Sequence, residues 1–130
     1  VARMGTGEPH PRSLPNYEAA LLPEGKVRYP LRHPTKHHPF ATLGFSEERG
    51  NWRELRAEIV EALPVHPATF RESTEWGRVY YVDIVIDGPA GKAAPARTGW
   101  IYLYGEDFRR LTTLYVKTTQ WRRWEREGRI

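Results

Sequence analysis

Three of the five histidines in this 130-residue chain lie in one short run, Arg32-His33-Pro34-Thr35-Lys36-His37-His38, with a lysine among them. Cleaving RNA without a metal needs three things: a base for the 2′-hydroxyl, an acid for the leaving 5′-oxygen and a cation for the phosphorane. Histidine titrates where the first two roles need it, and lysine or arginine fills the third. His33, His37 and His38 are therefore the acid/base candidates and Lys36 the phosphate clamp. The competing reading is a surface loop whose histidines are merely solvated. A zinc site is a third reading, since histidine-rich tracts bind metal. It is disfavoured because the spacing lacks an HExxH pattern and no carboxylate lies inside the run. No metal or cofactor is therefore assigned.

A second set is aromatic and basic. Tyr81, Trp100, Tyr102, Tyr104 and Tyr115 fall in strand-like segments beside Arg78, Arg97, Arg109 and Arg110. Rings on a sheet face stack bases while guanidinium groups hold phosphate. Nucleic-acid contacts are expected from Arg78, Tyr81, Arg97, Trp100, Tyr102 and Arg110, with Arg122 and Arg123 of the tail adding charge. The alternative is a set of cross-strand pairs buried under a terminal segment. Other chemistries find no support. The chain has no cysteine, which excludes thiol catalysis and Cys-ligated zinc. Ser13, Ser46 and Ser73 sit in no nucleophile elbow, and Gly88-Pro89-Ala90-Gly91-Lys92 lacks the spacing of a phosphate-binding loop.

Twenty lysines and arginines against sixteen aspartates and glutamates give a net charge of +4. Residues 47–64 and 71–87 are each acidic, and the basic excess lies in the flanks and tail. Such a distribution suits an acidic partner or a nucleic acid, and equally an arginine-rich solvated surface. No run approaches the roughly 18 apolar residues of a membrane span, and no apolar run at the start reads as a signal peptide.

These residues need a scaffold, and the periodicity supplies one. Residues 1–16, rich in Gly and Pro, read as a flexible leader. Ala19 to Leu22 reads as a short strand or a helical turn. Pro30, Pro34 and Pro39 make Tyr29 to Pro39 an irregular basic loop, and Phe40 to Leu43 a single turn stopped by Gly44. Asn51 with Glu54 has capping-box spacing. Trp52, Leu55, Ile59 and Leu63 then recur at helical intervals, so one main amphipathic helix is expected over about 51–63, ended by Pro64. Thereafter the period is two. Four strands, 69–73, 78–87, 97–104 and 110–116, joined by short turns form an antiparallel meander over about 69–116. Tyr80, Val82, Ile84 and Ile86, with Ile101 and Leu103, should make the face that receives the helix; the aromatic residues should make the other. The result is one α+β domain over 17–116 with a basic Trp/Arg segment, 117–130, as a last helix or tail.

From Leu14 to Val116 the order of features resembles an uncharacterised bacterial family found as stand-alone small proteins and as C-terminal modules of polymorphic or phage-associated toxins. The segments carrying the likeness are LPNYEAALLP, KVRYPLRHPTKHHPFATLGFS, NWRELRAEI and GWIYLYGEDFRRLTTLYV. Where other members read like KAxFF, Lys36-His37-His38-Pro39-Phe40 stands here. The company the family keeps is similar to small endoribonuclease toxins of the barnase/RelE-like type, with helices before a four-stranded antiparallel sheet. The resemblance implies an RNA-directed effector, an endoribonuclease without metal, and a cognate antitoxin or immunity protein as partner. It also implies action in the cytoplasm, with delivery inside a larger secreted or phage-associated protein as one route. A non-catalytic module that binds nucleic acid or protein is the alternative. Convergence of the histidine run with the strand arginines would favour catalysis; opposite faces would favour binding.

Overall fold

The computed structural model describes residues 9–130; the first half of the expected leader, residues 1–8, lies outside them. From His10 to Leu14 the chain is tied to the domain at three points, although Pro9, Pro11 and Arg12 are exposed. The His10 N–H donates to the Pro64 carbonyl, the Ala68 N–H to the Arg12 carbonyl, and Leu14 is fully buried. A single turn at Tyr17–Ala19 precedes three helices: α1 (Glu24–Arg32), α2 (His37–Leu43) and α3 (Trp52–Ala62). Strands β1 (Ala68–Ser73), β2 (Gly77–Asp87), β3 (Ala93–Leu103) and β4 (Arg110–Val116) follow, and α4 (Thr118–Arg126) closes the chain. The strands form one antiparallel sheet in the order β1-β2-β3-β4. This is the expected α+β meander under an amphipathic helix, with two more helices beside it.

Those two helices correct the reading of residues 29–39 as an irregular loop. Val27 and Leu31, four apart, put an apolar stripe on α1 and are buried with Pro30. That burial outweighs the one intrahelical bond Pro30 cannot donate. Pro39 stands in the first turn of α2, where an N–H has no intrahelical partner in any case. Phe40 and Leu43 then enter the core, and Gly44 takes φ 104° at the helix end, as expected of the stop there. The β2–β3 turn lands on this helix end. The Ala90 N–H donates to the Leu43 carbonyl (3.0 Å), and a side chain on Gly88 would fall on that same carbonyl oxygen.

The main helix runs where its pattern placed it, burying Trp52, Leu55, Ile59 and Ala62. Its start differs from a capping box. The Asn51 side chain turns back, accepting the Ser46 N–H (3.1 Å) and donating to the Gly44 carbonyl (2.8 Å), so it staples the preceding turn instead. Arg28 and Arg32 of α1 converge on Glu47 in that turn (2.7 and 3.0 Å). The hydrogen bond from Arg28 pushes the Glu47 carboxyl down to about 2 from an ordinary 4.5. A depressed carboxyl stabilises the fold fully above its unfolded value and loses that contribution as pH falls toward its folded one. Glu47→Gln should therefore melt below the wild type at neutral pH, with the gap closing between pH 4.5 and about 2. Melting curves across that range check it; a constant gap would contradict it.

Register, not composition, decides the two faces of the sheet. Tyr80 pairs with Trp100, Val82 with Thr98, Ile84 with Ala96 and Ile86 with Ala94. This row meets the helices, and Trp100 is fully buried in it. Tyr81 pairs with Gly99, Asp83 with Arg97, and Val79 with Ile101, forming the opposite row. Two expectations are corrected: Ile101 and Leu103 lie on the open face, and the aromatic residues divide between faces. β3 also begins at Ala93, earlier than its composition suggests. Pro95 is accommodated because β4 gives way to α4 beside it, where the Lys117 N–H donates to the Pro95 carbonyl. Trp121 of α4 joins the core, and Gly128 (φ 70°) follows the helix end.

Candidate nucleic-acid interface

On the open face Tyr81 lies between two guanidinium groups, Arg97 at 4.7 Å and Arg71 at 5.5 Å from its ring centre. Arg97 grips Asp83 in a two-pronged pair (Nε–Oδ1 2.7 Å, Nη2–Oδ2 2.9 Å), and Lys117 Nζ reaches the same carboxylate at 3.1 Å. The Arg97 hydrogen bond holds the Asp83 carboxyl below its usual range, so the network stays charged at neutral pH. Tyr115 stands opposite Arg97 across β3–β4. Beyond it Tyr115, Lys117, Gln120 and Arg123 line a shallow cleft of about 460 Å³ that continues onto α4. Arg71, Arg97 and Lys117 thus surround two half-buried rings with Asp83 between them, and Glu72 marks the outer edge on β1.

Tyr81, Arg97 and Arg123 are brought onto this one surface, with Arg122 exposed on the same helix. Arg110 faces the same side but is tied to Glu106 (3.1 and 3.0 Å) and lies over Phe108. Arg78 and Tyr102 pair across β2–β3 on the helix-side row and line a recess of about 300 Å³ with Tyr104 and Glu106. Behind Tyr102, on its ring, is Arg109, completely buried, its Nε and Nη1 without a hydrogen bond among the described residues. Trp100 is interior: its Nε1 donates to the Thr98 hydroxyl, which donates to the Val82 carbonyl (2.8 Å each).

The histidine run forms the corner between α1 and α2, in the helical layer. His33 Nδ1 accepts the Thr35 and Lys36 N–H groups (3.2 and 3.1 Å), capping the approach to α2 and leaving the proton on Nε2. His37 Nδ1 lies 2.7 Å from the His33 carbonyl and must donate to it, which in the neutral ring leaves Nε2 as the acceptor. His38, exposed, packs on His37 with ring centres 4.0 Å apart. Lys36 and His33 both meet Tyr29, at 5.8 and 5.7 Å. The corner therefore gathers His33, Lys36 and His37, and it stands on the layer opposite Tyr81 and Arg97.

Arg71, Asp83 and Lys117 escaped the sequence reading. A lone carboxylate within the apolar run of β2 was the available signal, but its partners become visible only through the pairing of β2 with β3. Among the described residues no helix is long and apolar enough to cross a membrane, and no group of three or more ligating side chains is placed to hold a metal. No curated protein matches the chain, and no solved structure does. One family model does match, over residues 13–118, and by that match the chain belongs to the family described as Domain of unknown function (DUF6883).

Proposed function

We propose that the protein is a small RNA-directed module that holds single-stranded RNA across the open face of its sheet. The observation that carries this is the setting of Tyr81 between Arg71 and Arg97, continued through Tyr115 and Lys117 to Arg123. Bases stack on sheet-face rings, and guanidinium groups beside them meet the backbone. Placement of the histidine corner on the other layer favours binding over cleavage. A fluorescent oligouridine titrated by anisotropy at several salt concentrations tests the reading. Affinity should fall with salt, by a log–log slope of about −0.7 per phosphate neutralised. Tyr81→Ala should weaken binding roughly tenfold with the slope unchanged. Arg71→Ala, which removes the guanidinium beside Tyr81 that makes no ion pair among the described residues, should weaken it and make the slope shallower by about one contact. Binding unmoved by either substitution would overturn the proposal.

A second reading is a metal-independent endoribonuclease of the toxin type, with an antitoxin or immunity protein as partner. It is favoured by the histidine corner, where the Nε2–H of His33, the Nε2 of a neutral His37 ring and the Lys36 ammonium lie within one turn. Helices before a four-stranded antiparallel sheet are also the element order of barnase/RelE-like toxins, an analogy of fold alone. RNA cut in EDTA by the wild type, and left whole by a His33→Ala/His37→Ala/His38→Ala variant, would establish it. RNA left intact by both would leave the binding module.

A further inference from the structure

The sheet has two edges, and that of β4 is occupied in an unusual way. Leu21 forms a parallel bridge to Arg110; its N–H donates to the Arg109 carbonyl (2.6 Å), and its carbonyl accepts the Leu111 N–H (3.0 Å). At Pro23 the chain turns away into α1. From Thr112 to Val116 no other strand lies against β4 among the described residues. An open edge is a row of main-chain donors and acceptors ready to pair with another extended chain.

Beside that open stretch runs a groove of about 480 Å³, with Thr112 to Leu114 on one wall and Lys26, Tyr29 and Lys36 on the other. A strand edge flanked by a helix is the geometry in which an extended peptide adds to a sheet. Neither Lys26 nor Lys36 makes an ion pair among the described residues, whereas the neighbouring Arg28 and Arg32 are engaged by Glu24 and Glu47. Tyr29, 56% exposed, lines the groove. We infer that this groove binds an acidic peptide segment of a partner protein, added as a strand to β4 where Leu21 leaves off. Main-chain pairing supplies the direction, the two ammonium groups select carboxylates, and Tyr29 covers one peptide side chain.

The test uses a short fluorescent peptide alternating glutamate with valine, the same peptide N-methylated at alternate residues, and the same oligouridine. The plain peptide should bind and slow hydrogen exchange of amides within Thr112–Val116. N-methylation should abolish binding, since it removes the paired donors without touching the protein. The double variant Lys26→Glu/Lys36→Glu, both side chains exposed, should lose at least about tenfold while keeping its melting temperature. Equal binding of the methylated peptide, or no effect of the charge reversal, would overturn the inference. So would protection of these amides by oligouridine rather than peptide, or a concentration-dependent protection of the protein alone, which would mean a second copy fills the edge. Tyr81→Ala and Arg71→Ala should leave peptide binding unchanged, so the fate of the RNA reading is measured separately.

Discussion

Trp100→Ala should lower the free energy of unfolding by about 3–5 kcal/mol, the range for deleting a large buried aromatic side chain. The ring is fully buried on β3, one of the two inner strands of the sheet, on the row that meets the helices, between Tyr80 on β2 and Leu111 on β4. Both neighbouring strands must hold their course around it, so little collapse can refill the space. The size of the loss comes from the ring, and two other substitutions separate this from the polar chain it heads. Trp100→Phe keeps most of the ring but leaves the Thr98 hydroxyl with nothing to accept, costing about 1 kcal/mol for the hydrogen bond plus the smaller volume. Thr98→Val strands the Trp100 indole N–H, a buried donor, at about 1–3 kcal/mol. Chemical denaturation of the three variants gives the order directly. An alanine variant no less stable than the phenylalanine one would show that the ring does not support the sheet.

Arg109→Met should act in the other direction, raising stability by about 1–4 kcal/mol. A buried guanidinium pays for its lost water with carboxylates or carbonyls around it; Arg109 has the Tyr102 ring, while its Nε and Nη1 find no acceptor among the described residues. Methionine fills a similar volume with no donors to satisfy. Leu21 would keep its bond to the residue 109 carbonyl, which belongs to the main chain. A higher melting temperature for the variant checks this, and a lower one would mean that the stacking on Tyr102 outweighs the stranded donors.

The elements that show through the sequence are those whose burial has one dominant period. Trp52, Leu55 and Ile59 mark α3, and Val82, Ile84 and Ile86 mark β2, because each meets the core along a single stripe or face. α1 was concealed because its stripe is short and contains the proline itself: Pro30 is buried beside Val27 and Leu31. The candidate interface was half legible. Alternation within β2 separates Tyr80 from Tyr81, and within β3 it separates Trp100 from Ile101. Which face of one strand continues which face of the next depends on the turn at Gly88–Lys92, and no periodicity encodes that. Tyr81 and Trp100 thus belong together by composition and apart by register. Asp83 shows the same limit. Alone it is a polar residue on a wet face, and it becomes the centre of a charge network only when Arg97 is set opposite it and Lys117 beyond.

The seating of the β2–β3 turn on the end of α2 determines where this chain tolerates being cut or extended. Ala90 is bonded to Leu43, Gly88 lies against that carbonyl, and a side chain on Gly44 would meet Pro89, so the turn of the longest hairpin is anchored at Gly88–Ala90 although its outer residues Gly91 and Lys92 are exposed. A tag, a dye-bearing cysteine or a new pair of termini placed at Gly88–Ala90 would prise the helical layer from the sheet. The turn at Glu48-Arg49-Gly50 is exposed, with open space around Gly50. It is the graft point that leaves both the edge of β4 and the face of Tyr81 untouched.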